Sequence, residues 1–148
     1  MNECVTNSPE ETLALGRQWG GQAQPGWVFG LSGELGAGKT QLVKGIAQGL
    51  GIPDPILSPT FSLVHEYTRG RVPLAHLDLY RLDSPSQVIG AGLEQFIYDP
   101  TLVVVIEWIE RWFAGGSPSL AAGGLYRHVR IETTGESARR IRYEDSRA

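Results

Sequence analysis

Gly33-Glu34-Leu35-Gly36-Ala37-Gly38-Lys39-Thr40 follows the apolar run Trp27-Val28-Phe29-Gly30-Leu31 and leads into Leu42, Val43, Ile46, Ala47 and Leu50 at helical spacing. The stretch fits the pattern G-x-x-x-x-G-K-[ST], which carries weight only where a strand precedes it and a helix follows. Both conditions are met. Glycines at 33, 36 and 38 let consecutive backbone N–H groups converge on a polyphosphate with no side chain in the way. A helix starting near Gly38 adds unpaired N-terminal N–H groups and the positive end of its dipole. In this pattern Lys39 reaches the β and γ phosphates and the Thr40 hydroxyl binds magnesium, so nucleotide and metal are implied together. The bland alternative is a glycine-rich turn at an ordinary strand-to-helix junction. It is disfavoured because random placement of these residue types would give the pattern in roughly a few sequences per thousand.

Upstream, Ser8-Pro9-Glu10-Glu11 predicts a helix start, with Ser8 as N-cap, Pro9 in the first turn and Glu11 completing a capping box. That helix is expected to run to about Trp19 and to stop at Gly20-Gly21. Downstream, Gly51-Ile52-Pro53-Asp54-Pro55 breaks the chain. Extended runs at 58–67 and 72–80 around Arg69-Gly70-Arg71 then predict an antiparallel hairpin. In its second strand Ala75, Leu77 and Leu79 point one way and His76, Asp78 and Tyr80 the other, giving one apolar and one polar face. Ser84-Pro85-Ser86-Gln87 opens a helix through Val88, Ile89, Leu93, Phe96 and Ile97, weakened by Gly90 and Gly92. Thr101-Leu102-Val103-Val104-Val105-Ile106 lacks alternation, as a central parallel strand covered on both faces would, and its end delivers Glu107 and Trp108. Residues 111–124 read as a loop around a short helical piece, and 128–133 with 140–143 as a closing hairpin. The order predicts an α/β fold, a single-domain P-loop NTPase-like three-layer arrangement with a mixed, partly antiparallel central sheet. Residues 1–7 and about 144–148 are expected to be flexible ends.

A chain of 148 residues, 41% of them hydrophobic, has the size of one domain with a proper core. Its formal net charge is −3 and its pI about 5.6, which argues against a free-standing grip on RNA or DNA. Cys4, the single cysteine, cannot close an intramolecular disulfide, so a reducing compartment is expected. The N-terminus lacks the charge and apolar stretch of a leader, and the longest strongly apolar run is Leu102 to Ile106, so a cytoplasmic protein without a membrane span is expected.

Magnesium on a triphosphate is commonly held by the loop Thr or Ser and by a carboxylate at the carboxyl end of a neighbouring strand. Glu107 occupies such a place, and the burial expected of its strand favours this over a solvated charge near Glu110 and Arg111. Asp78 reads equally as a second metal carboxylate, as the group orienting an attacking water, or as a salt-bridge partner of Arg81. Ser58-Pro59-Thr60 suits a switch loop sensing the γ-phosphate or a plain strand-entry turn. Trp108 could stack on a base or a partner, or simply fill apolar space. His65, His76 and His128 show no zinc spacing, and no G-x-S-x-G hydrolase signature occurs.

Taken together, residues 33–40, Ser58-Pro59-Thr60-Phe61-Ser62-Leu63-Val64, His76-Leu77-Asp78-Leu79-Tyr80-Arg81-Leu82 and Ile106-Glu107-Trp108 resemble the TsaE (YjeE) family. Its members are bacterial ATPases required for threonylcarbamoyladenosine modification of tRNA. The resemblance implies that Gly33, Gly36, Ala37, Gly38, Lys39, Thr40 and Gln41 bind ATP and that Thr40 and Glu107 hold Mg2+, Glu107 serving as the Walker B residue. It further implies that Asp78 is needed for hydrolysis, within reach of the metal, with Lys39 on the phosphates. Thr60 would belong to the switch-like loop, Trp108 would lie beside the nucleotide, and Thr12 would sit in a helix near the adenine. TsaD and TsaB are the implied partners, with tRNA reached only through them, which agrees with the acidic charge. Gln41 replaces a second threonine found in many members, and Ile109 stands where a proline often follows the Glu-Trp pair.

Two rivals stand beside a partner-stimulated ATPase. A small-molecule kinase would need an arginine lid, for which Arg139, Arg140 and Arg142 are the candidates. A nucleotide-gated interaction module would make hydrolysis incidental. A GTPase is disfavoured because no Asn-Lys-x-Asp guanine-reading sequence is present.

Overall fold

The computed structural model describes residues 2–34, 38–57, 59, 62–112 and 124–147. The first helix, α1 (Pro9–Gln22), starts as its cap signature predicts. Ser8 Oγ accepts the Glu11 N–H at 3.1 Å, while the Glu11 carboxylate reaches one residue further back than the usual box and accepts the Asn7 N–H at 2.7 Å. Contrary to expectation, Gly20 and Gly21 do not end it; the helix continues to Gln22. The reason is tertiary. In the next helix, α2 (Lys39–Gly49), Gly45 and Gly49 face Gly16 and Gly20 of α1, and a Cβ at Gly20 would overlap the Ile46 carbonyl. These glycines let two backbones touch, and a local reading mistakes one of them for a C-cap.

One seven-stranded sheet runs in the order β1-β7-β6-β2-β5-β4-β3. Its centre is parallel: β6 (Leu125–Thr133), β2 (Val28–Gly33), β5 (Val103–Glu107) and β4 (Leu74–Asp78). The flanks are antiparallel, with β3 (Val64–Tyr67) against β4, β7 (Arg139–Arg147) against β6, and β1 (Asn2–Thr6) against β7. Both expected hairpins are thus present within a mixed sheet. The expectation of flexible ends is overturned at both termini, because Asn2–Thr6 pairs with 139–143 and β7 continues to Arg147.

Helices cover both sheet faces, giving three layers. Trp19, Leu42, Val43 and Ile46 pack on Phe29, Leu31, Val103 and Val105, whereas Val88, Leu93 and Ile97 pack on Val104, Ile106, Ala75 and Leu77. This double cover is why β5 shows no apolar–polar alternation. The predicted helix over 85–97 is in fact two, α3 (Pro85–Gly90) and α4 (Glu94–Ile97), broken where Gly92 takes φ 76°. A 3-10 turn occupies Ile109–Arg111, and the loop with a short helical piece expected over 111–124 falls mostly on residues 113–123, which lie outside the described ones. Among the described residues no helix is long and apolar enough to cross a membrane.

Candidate functional site

Parallel strands bring the ends of β2, β4 and β5 to one edge, where Leu31 pairs with Glu107 and Asp78 pairs with Glu107. The helix α2 starts at this edge. Its N-cap, Gly38, has φ 96° and offers no side-chain cap, so the first amides of α2 keep the anion-binding capacity that Ser8 quenches in α1. Thr40 is half-buried in the first turn. Gly36 and Ala37 of the phosphate-loop pattern, and Thr60 of the second loop, lie outside the described residues.

Lys39 is buried, and its ammonium donates to the Gly33 carbonyl at 2.5 Å and the Glu34 carbonyl at 3.1 Å. Burial lowers its pKa, opposed by the negative charges of Glu107, Glu110 and Asp78. The indole of Trp108 covers the same ammonium, 4.2 Å from Nζ to ring centroid, and Tyr80 packs on Trp108 with ring centroids 4.9 Å apart. Trp108 holds this place with φ 61° and ψ 46°, a left-handed conformation that a bulky residue adopts only when its surroundings demand it.

The two carboxylates lie on strand ends that the helices keep dry. Asp78 is 6% exposed and Glu107 4%. Burial raises the Asp78 pKa, with the Tyr80 backbone N–H, donated to Oδ1 at 3.0 Å, pulling the other way. The polar face predicted for β4 exists, but it is buried toward the α2 layer: His76 is wholly buried and its Nε2 lies 2.5 Å from Glu107 Oε2. His76 was missed as a site residue because only zinc spacing was sought. The available signal was its two-residue offset from Asp78, which puts both on one strand face. The second loop is tied to the same place, since Asp78 N–H donates to the Leu63 carbonyl at 3.0 Å.

Thr12 and Gln41 meet on the far side of the helix start. A pocket of about 200 Å3 is lined by Pro9, Thr12, Gly38, Gln41, Ser137 and Arg139. Gln41 donates to the Pro9 carbonyl at 3.2 Å, and Thr12 Oγ1 lies 2.7 Å from Thr6 Oγ1, so β1 helps fix this wall. A second cleft of about 240 Å3 borders Ser32, Gly33, Glu34, Trp108 and Glu110. Of the arginines considered as a lid, Arg140 and Arg142 are strand residues ion-paired to Glu3 and Glu132, and Arg139 lines the first pocket.

The donor set suits a magnesium–triphosphate group. A hydroxyl and two carboxylates are hard oxygen ligands, an uncapped helix start accepts anions, and a buried ammonium stands between them. Among the described residues no cluster of three or more His, Cys, Asp or Glu forms a metal cage. A metal here would share its coordination with phosphate and water, as magnesium commonly does.

Comparison with known proteins identifies the family. A family model described as "Threonylcarbamoyl adenosine biosynthesis protein TsaE" matches residues 6–141. A protein of Nostoc sp. described as "tRNA threonylcarbamoyladenosine biosynthesis protein TsaE" is 50% identical over 114 residues, covering 75% of this chain and 70% of that protein. A Bacillus subtilis protein with the same description is 43% identical over 103 residues, or 70% of this chain and 63% of the relative. One from Mycobacterium leprae is 39% identical over 142 residues, with coverages of 93% and 82%. The crystal structure of Bacillus subtilis YdiB superposes with a TM-score of 0.75 at 31% identity, covering 99% of this chain and 86% of that one. A family-model match over most of the sequence, curated relatives at 39–50% identity and a shared fold have one meaning: the chain belongs to the TsaE family of threonylcarbamoyl adenosine biosynthesis proteins.

Proposed function

We propose that this chain is the ATP-hydrolysing component of the tRNA threonylcarbamoyladenosine machinery, acting in the cytoplasm with TsaB and TsaD and reaching tRNA only through them. The observation that carries the reading is the convergence of Lys39, the uncapped start of α2, and the registered pair Asp78 and Glu107 at one sheet edge. In this proposal Lys39 exchanges the carbonyls of Gly33 and Glu34 for phosphate oxygens, with the α2 amides sharing the negative charge. Thr40 and Glu107 hold Mg2+, which when bound neutralises charge on the phosphates. Asp78, buried and held by the Tyr80 amide, completes the metal surroundings or orients the attacking water. Gly36, Ala37 and Thr60 would add their backbone or hydroxyl groups to nucleotide binding. The pocket between Thr12 and Gln41 takes the nucleoside end, and Trp108 shields the lysine side.

In this proposal turnover by the chain alone is slow and is accelerated by TsaB and TsaD. The test is phosphate release by the purified chain alone and with TsaB and TsaD, alongside tRNA modification. Stimulation by the pair, lost in Glu107→Ala, supports the proposal. ATP-dependent assembly with no stimulated release would replace it with a pure nucleotide switch.

A further inference from the structure

We infer that His76 is the positioning residue of Glu107: it engages one carboxylate oxygen from the neighbouring strand and so leaves metal binding to the other. The inference rests on the proposed metal site at Glu107. His76 lies on β4 opposite Val105, two residues before Glu107 on β5, so its side chain and that of Glu107 share one sheet face diagonally. The Nε2 to Oε2 separation is 2.5 Å, and both side chains are almost fully removed from solvent, at 0% and 5% exposure.

The tautomer follows from the partners. A carboxylate oxygen only accepts, so the ring atom facing it must carry the proton, and Nε2–H donates to Oε2. Consistently, Nδ1 is buried with no hydrogen-bond partner, a lone pair left idle; the alternative tautomer would orphan an N–H there and set two acceptors against each other. A buried carboxylate with one oxygen held this way has lost its freedom to rotate or to chelate symmetrically. That is the outer-shell arrangement by which proteins orient metal-binding groups, and its loss typically costs about 10- to 100-fold in metal affinity or activity.

A merely structural role would show in stability alone, so the test reads the metal directly. The full chain with a non-hydrolysable ATP analogue is titrated with Mn2+, free Mn2+ being followed by electron paramagnetic resonance, for the parent, His76→Ala and His76→Gln. Analogue binding in EDTA and thermal melting are measured in parallel. His76→Ala is expected to weaken Mn2+ binding about 10- to 100-fold while metal-free analogue binding holds within about twofold. His76→Gln, whose amide Nε2 restores a donor at similar reach, is expected to recover most of the loss. Unchanged Mn2+ affinity in His76→Ala, or equal losses in Ala and Gln, overturns the inference while leaving the site intact. If His76→Ala does not fold, His76→Leu takes its place as the variant without a donor, weaker Mn2+ binding than in His76→Gln supporting the inference and equal binding overturning it. A parent that binds no Mn2+ with the analogue refutes the proposed site itself, and His76's role with it.

Discussion

The same substitution, glycine to alanine, should have opposite effects at Gly45 and Gly21. A Cβ on Gly45 would overlap the Leu13 carbonyl and lie 2.9 Å from both Arg17 N and Gly16 Cα, all backbone atoms that no rotamer change can move. Relief requires α1 and α2 to part. Overpacking of this kind costs about 1–3 kcal/mol, and three rigid contacts put Gly45→Ala in the upper half of that range. Alanine's better helix propensity returns about 1 kcal/mol, leaving a net loss of about 1–2 kcal/mol. At Gly21, also helical, an added Cβ meets nothing within 4 Å, so only the propensity gain of up to about 1 kcal/mol remains. The two variants should therefore differ by about 1–3 kcal/mol, which urea titration resolves as a midpoint separation of roughly 1 M. Because α1 carries Thr12 and α2 carries Gln41, Gly45→Ala should also weaken nucleotide binding, and Gly21→Ala should not. A Gly45→Ala chain as stable as the parent would refute the claim that these glycines exist for helix contact.

Other substitutions address the site. Lys39→Ala removes a charged donor worth about 1.5–3 kcal/mol, so calorimetry should find ATP affinity reduced by about 10-fold or more; undiminished binding would count against the phosphate assignment. Glu107→Gln should lower magnesium-dependent turnover far more than nucleotide binding, and equal phosphate-release rates in variant and parent would remove Glu107 from the metal. Asp78→Asn keeps an acceptor for the Tyr80 amide while abolishing a charge that burial disfavours. Because the folded Asp78 pKa lies above its ordinary value of 3.8, the stability that Asp78 itself contributes is fully present below that value and is lost as pH rises through the raised one. In EDTA, Asp78→Asn should therefore melt higher than the parent near neutral pH and no higher below about pH 3.8. A constant difference across that range would contradict the raised pKa.

Local signals fixed the parts of this fold that local chemistry decides. The Ser8 cap, the strand into Gly33, the helix from Lys39 and the doubly covered strand before Glu107 are all legible, because cap, glycine and burial patterns act within a few residues. What escaped was decided at long range. Strand β1 is short and polar, Asn2-Glu3-Cys4-Val5-Thr6, and owes its existence to pairing with residues 139–143 at the other end of the chain. Gly20 carries the same letter whether it ends a helix or admits another, and only the partner α2 distinguishes the two. The parallel pairing of β6 with β2 hides behind the hairpin that β6 also makes. At the site, Asp78 and Glu107 are readable from their strand positions, whereas the His76 contact with Glu107 needs the register of β4 against β5.

The most direct measurement is the crystal structure of the chain with a non-hydrolysable ATP analogue and Mn2+, using the anomalous signal of the metal. The expected result places Mn2+ against Thr40 and Glu107, with the phosphates at the start of α2 and the Lys39 ammonium turned from the Gly33 and Glu34 carbonyls onto them. Analogue and Mn2+ ordered elsewhere, with Lys39 still bonded to those two carbonyls, would contradict it.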